Sequence, residues 1–188
     1  MTRVLIAYAG DYGNTEKMAN ACAEGIEQVE GMTCLMKHAD KVRLEDMRDS
    51  DGLIVGTPVH MGCMDWRVKK MIDTISSGLW MQDLMNGKVG GVFTTGSGYG
   101  NAGGGCELTM LAMLNSFAEL GLLIVPLPKM TVDFGLGGHH WGPYGRSASP
   151  SGNHVGVSEE ALNVARVHGA NVARAALAVK GAEIFKAE

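Results

Sequence analysis

No run or stripe of lysine and arginine interrupts this mildly acidic 188-residue chain, whose formal net charge is −4. Phosphate backbones are held by clustered Lys and Arg, so the composition argues against a nucleic-acid partner. Long hydrophobic runs are missing too. The longest apolar stretch, residues 120–127, is interrupted by Gly121 and Pro126 and falls far short of a membrane span. A secretory leader does not fit, because strand-forming sequence begins by residue 3. Cys22, Cys34, Cys63 and Cys106 are scattered, with no Cys-x-x-Cys and no zinc-type histidine spacing. They read as reduced thiols of a cytoplasmic protein.

What is present is a globular α/β composition, 46% hydrophobic and 19% charged, long enough for one well-buried domain over residues 1–188. Thirteen methionines fall mostly at helical or strand spacing and read as core filling. Apolar runs at 4–8, 33–37, 53–56, 89–94 and 122–126 predict five strands, alternating with helices over about 15–29, 44–47, 64–75, 107–120 and 158–180. Strands alternating with helices predict a doubly wound parallel sheet of order 2-1-3-4-5 with helices on both faces, a three-layer α/β/α sandwich. Residues 127–157 remain a long loop carrying His139, His140, Trp141 and Tyr144, too aromatic for a tether. This loop reads as the wall of an active site.

The first strand runs directly into Gly10-Asp11-Tyr12-Gly13-Asn14-Thr15 and a helix. Such a turn aims backbone N–H groups and a hydroxyl at one spot, where the helix dipole also favours an anion. A triphosphate loop needs a lysine here. Its absence, leaving neutral donors, suits a single phosphomonoester. The same residues also suit an ordinary strand-to-helix turn with Thr15 as N-cap.

Ligands of open parallel sheets bind at the carboxyl ends of the strands, at the switch point. Three loops meet there: 10–15, 57–62 and 95–105. One offers a phosphate cradle, and the glycine-containing others can clasp a planar ring. Together they suggest flavin mononucleotide, FMN. Gly98-Tyr99-Gly100-Asn101-Ala102-Gly103 formally matches a dinucleotide fingerprint, but no helix starts inside it and Glu119 still lies in the following helix. His139 and His140 with His60 or His154 lack a carboxylate or cysteine at ligand spacing, so no metal is expected.

The chain resembles the flavodoxin-like superfamily, and within it the WrbA-type NAD(P)H:quinone oxidoreductases. The resemblance rests on the Tyr12-Gly13 loop, Gly56-Thr57-Pro58-Val59-His60-Met61-Gly62, Gly78-Leu79-Trp80, Thr95-Gly96-Ser97-Gly98, residues 121–126 and Gly142-Pro143-Tyr144-Gly145, and covers nearly the whole chain. It implies that the first loop holds the FMN phosphate. Pro58, Val59, His60, Met61 and Gly62 would edge the isoalloxazine, and Thr95, Gly96, Ser97, Gly98, Tyr99 and Gly100 its pyrimidine side. Trp80 and the loop around Tyr144 would line the pocket over the ring, with His139 and His140 either contacting nicotinamide or quinone or forming a polar loop.

The activity implied is hydride transfer from NADH or NADPH to FMN and two-electron reduction of a quinone, with no side chain as an obligatory acid or base. A homodimer or homotetramer is also implied. The chain departs from the family pattern at Gly10, where Ser or Thr is usual, and at Asp11, whose carboxylate is expected to weaken FMN binding. The rival reading is a flavodoxin-type electron carrier, for which net charge −4 is a weak steering field. A flavin-binding structural or regulatory protein is a third.

Overall fold

The computed structural model describes residues 1–98 and 103–186. In chain order the elements are β1 (Thr2–Tyr8), α1 (Asn14–Glu27), β2 (Met32–His38), α2 (Leu44–Arg48), β3 (Gly52–His60), β4 (Cys63–Met64), α3 (Trp66–Trp80), β5 (Val89–Gly96), α4 (Cys106–Glu119), β6 (Leu123–Ile124), α5 (Phe134–Gly137), β7 (Gly138–His139), β8 (Gly142–Arg146) and α6 (Glu159–Val179). Strands β2, β1, β3 and β5 pair in parallel in that order, with Leu5 opposite Leu53 and Val55 opposite Val92.

Alternation along the strands sorts the core into two layers. Leu5, Ala7, Leu53 and Val55 pack with Val68 and Met71 of α3 and Met110, Met113 and Phe117 of α4. Val4, Ile6, Ile54 and Phe93 face Met18, Ala19, Cys22 and Ile26 of α1 and Ala165, Val172 and Ala173 of α6. Helices α1 and α6 approach closely because glycine faces backbone on each: a Cβ at Gly25 would lie 1.9 Å from the Arg166 carbonyl oxygen, and one at Gly169 2.1 Å from that of Cys22.

The flavodoxin-like sandwich is as expected, but its fifth strand is divided. Leu123 pairs beside Val89, and further along β5 the place beside Thr94 belongs to Tyr144 of β8. The loop expected over 127–157 therefore contains half a strand, preceded by α5 and a small antiparallel β7–β8 pair. Gly142 permits the approach, since a Cβ there would lie 2.0 Å from the Val92 carbonyl oxygen. A second correction lies in α3, which runs to Trp80 rather than ending near 75. Among the described residues, no helix is long and apolar enough to cross a membrane.

Candidate functional site

The carboxyl ends of β1, β3 and β5 open into a cleft of about 630 Å³, open to solvent, lined by the 10–15 turn, Pro58 to His60, Thr95 to Ser97, and two later residues, Ser147 and His154. Each wall has a local cause. Gly13 has a left-handed backbone (φ 76°) and starts α1 with no side-chain cap, so no capping side chain competes for the first amides of the helix. Thr15 is therefore not the N-cap but a residue of the first turn. Its buried Oγ1 lies 2.8 Å from Thr95 Oγ1, tying the first loop to the third. At Gly10 a Cβ would come within 2.8 Å of that same Thr15 oxygen, so a side chain there would crowd the hydroxyl. Asn14 Nδ2 and His154 Nε2, 2.9 Å apart, close the other side.

The second loop is a hairpin. His60 pairs with Cys63, and Met61 (φ 50°) and Gly62 (φ 79°) make the two-residue turn, the left-handed pair such a tight turn demands. Met61 is fully exposed at the tip, and Tyr12 on the first loop is 82% exposed. Two large apolar side chains left in solvent beside one cleft suit a flat ligand. On the third side, the Gly96 carbonyl accepts from Tyr144 Oη at 3.2 Å and from the Ser147 amide at 2.9 Å. The second half of the divided strand thereby fixes the third loop.

Charge at the rim is organised by Arg67. Its Nη1 and Nη2 each donate to Asp11 at 2.8 Å, while its backbone N and Nε reach Asp65 Oδ1 at 2.8 Å and Nη2 reaches Oδ2 at 2.7 Å. Asp65, fully buried, also has the Nδ1 of His60 3.2 Å from Oδ2. The guanidinium holds both carboxyls below the usual range. Ligand atoms of Asp11, His60 and Asp65 lie within 4.8 Å of one another, which is metal-site spacing. Here Arg67 already bonds both carboxylates and serves as their cation. Asp11 is thus not an unpaired charge beside the phosphate loop.

Eleven of the residues expected from the sequence line the cleft: Gly10, Asp11, Tyr12, Asn14, Thr15, Pro58, Val59, His60, Thr95, Gly96 and Ser97. Gly13, Met61 and Gly62 shape the turns beside it, and Gly98 (φ 54°) follows Ser97. Tyr99 and Gly100 lie outside the described residues.

Trp80 is not brought to the cleft. It sits at the far end of α3 against Ser76, Ser116 and Glu119 in a separate hollow. His140 lies against Phe134, ring centroids 5.2 Å apart. His139 stands between Glu107 (Nδ1 to Oε1, 3.3 Å) and the Cys106 thiol (Nε2 to Sγ, 3.5 Å), edge-on to Tyr144. Burial raises the Cys106 pKa. Tyr144 supports the third loop through its hydroxyl while its ring is buried. Ser147 lines the cleft and Arg67 and Asp65 stand at its rim with no local sequence signal, and His154 lines it beside Asn14.

Which group fits can be tested on these donors. A turn without lysine, an uncapped 14-residue helix, a buried threonine hydroxyl and an asparagine suit one phosphomonoester, and the exposed Tyr12 and Met61 suit a planar ring. FMN has both parts.

Comparison with known proteins agrees. Residues 34–136, more than half of the chain, match the family described as NADPH-dependent FMN reductase. An NAD(P)H dehydrogenase (quinone) of Solidesulfovibrio magneticus is 30% identical over 90% of this chain and 95% of its own. A flavodoxin of Aquifex aeolicus is 36% identical over 66% of this chain and 64% of its own. The solved flavodoxin-like, WrbA-like protein from Agrobacterium tumefaciens superposes with TM-score 0.71 at 27% identity, covering 95% of this chain and 99% of its own. On the extent of these matches, the chain belongs to the NADPH-dependent FMN reductase family of flavodoxin-like proteins.

Proposed function

We propose that the protein is an FMN-dependent NAD(P)H:quinone oxidoreductase, with residues 1–188 forming one FMN-binding domain. The observation that carries this reading is the convergence of the 10–15 turn, Pro58 to His60 and Thr95 to Ser97 on one cleft. The α1 amides, Asn14 and Thr15 would hold the phosphate. Val59, His60 and Met61 would edge the ring, with Gly96 and Ser97 on its polar side. When bound, FMN supplies the hydride chemistry. The protein orients the ring, restricts water, and leaves the rim beside Met61 and Tyr12 for nicotinamide and quinone in turn. Initial rates with NADH or NADPH and benzoquinone test the proposal. Parallel double-reciprocal lines are expected, and absence of turnover by protein that holds FMN overturns it in favour of an electron carrier.

We further propose a cytoplasmic homodimer or homotetramer. Met130, Val132 and Leu136, on the segment that divides the fifth strand, are 88%, 58% and 70% exposed, more apolar surface than such a short segment needs for its own packing. Light scattering at micromolar concentration tests this, and a strict monomer with FMN bound contradicts it.

A further inference from the structure

We propose that His60 is the proton donor of quinone reduction and that Asp65 is the residue that positions it. The proposal deepens the oxidoreductase reading and rests on it.

His60 ends β3 and forms part of the cleft wall, with its side chain 43% exposed. Its Nδ1 is 3.2 Å from Oδ2 of Asp65, whose side chain is fully buried. That carboxylate cannot turn away. Oδ1 takes two donors from Arg67 and Oδ2 a third, while the Asp65 amide donates to Thr57 Oγ1 at 2.8 Å. With Nδ1 on the side of Asp65, Nε2 is the nitrogen left for the cleft. A buried carboxylate that fixes the orientation of an imidazole is an arrangement by which histidine is set for proton transfer in catalysis.

The surrounding charges fit such a role. Asp65 and Asp11 face His60, and Arg67 bonds both of them. The Arg67 guanidinium holds the Asp65 carboxyl below the usual carboxylate range. No such arrangement serves the other histidine of the cleft, His154, whose ring nitrogen meets the Asn14 amide.

The chemistry requires one proton besides the hydride. A quinone becomes a hydroquinone by gaining two electrons and two protons. The hydride brings the electron pair and one proton, and the second proton must reach the quinone oxygen that becomes negative. Protonated His60 gives that proton from Nε2, so the N–H bond breaks and an O–H bond forms. The neutral imidazole is then reprotonated by solvent, to which it is half open.

Two acceptors separate proton delivery from every other function of the residue. Benzoquinone needs the proton; ferricyanide takes electrons singly and needs none. In FMN-loaded protein, His60→Gln is expected to lower the ratio of the benzoquinone rate to the ferricyanide rate by about a hundredfold, the usual scale of a general acid. Asp65→Asn should shift the same ratio in the same direction, by less. Equal losses with both acceptors, or no loss with either, overturn the proposal.

A readout without turnover is the spectrum of 4-nitrophenol bound to the oxidised FMN-loaded protein. Wild type should bind it as the coloured phenolate, and His60→Gln should bind that form about tenfold more weakly. Equal phenolate binding by the two proteins also overturns the role. Failure of wild type to hold FMN would instead overturn the oxidoreductase reading itself.

Discussion

Arg67 joins Asp11 to Asp65 with paired hydrogen bonds of 2.7–2.8 Å, linking the 10–15 turn to the start of α3 across 56 residues of sequence. The 10–15 turn and the start of α3, which follows the 57–62 loop, are therefore one connected wall. Preorganisation of this kind lowers the ordering cost of binding.

Loss of Arg67 has two consequences. Arg67→Ala leaves the buried Asp65 without its main partner, at an expected stability loss of about 3 kcal/mol in chemical denaturation of the FMN-free protein. It also frees the Asp11 carboxylate to face the phosphate, so FMN should bind at least tenfold more weakly. Arg67→Ala with Asp11→Asn should recover part of the affinity and none of the stability. Asp11→Asn alone should tighten binding only modestly, because Arg67, shared with Asp65, already offsets part of the charge it removes.

Thr15→Ala removes a hydroxyl from the phosphate end of the cleft, where a bond to a charged acceptor is worth roughly 1.5–3 kcal/mol. FMN affinity should fall tenfold or more, and riboflavin, which lacks the phosphate, should bind unchanged. Calorimetric titration of both ligands checks this assignment, which equal losses would refute.

His168 makes the fold sensitive to acid. It is completely buried in α6, neither ring nitrogen has a partner among the described residues, and burial pushes its pKa down to about 4. Between about 6.5 and 4 the unfolded chain binds a proton that the native chain refuses. Stability from this group is thus intact above pH 6.5 and is lost as pH falls toward 4, by about 3 kcal/mol in all. His168→Leu should flatten that part of the curve measured by urea unfolding.

Gly169→Ala tests the close approach of α1 and α6. Alanine should gain up to about 1 kcal/mol in helix propensity. Its Cβ would sit 2.1 Å from the Cys22 carbonyl oxygen, a backbone atom that cannot yield cheaply. The clash wins, and a net loss of about 2 kcal/mol is expected. A thermal midpoint unchanged from wild type would refute the packing argument.

Much of this was legible from local pattern. The buried strands β1, β3 and β5, the inward face of α1, and the turn at Gly13 each announce themselves within a few residues. The second half of the fifth strand does not, because Gly142-Pro143-Tyr144-Gly145-Arg146 has glycines, a proline and no alternation, and is a strand only by virtue of lying beside Thr94. The resemblance alone put Trp80 over the ring, on a segment beyond a helix expected to end near residue 75. The helix instead continues through it, packed by Leu79 against the core, and carries Trp80 away from the cleft. The Arg67 clamp and the Asn14–His154 contact join residues 56 and 140 positions apart, and no sequence window spans them.

Hydride passed from a nicotinamide to a flavin bound in this cleft changes the flavin's colour. The most direct measurement of that transfer is the visible flavin absorbance of the FMN-loaded protein under anaerobic conditions. Addition of NADH or NADPH should bleach that absorbance, and one equivalent of benzoquinone should restore it. Flavin that stays oxidised with both nucleotides yet is bleached by a reduced electron-transfer protein would contradict the account.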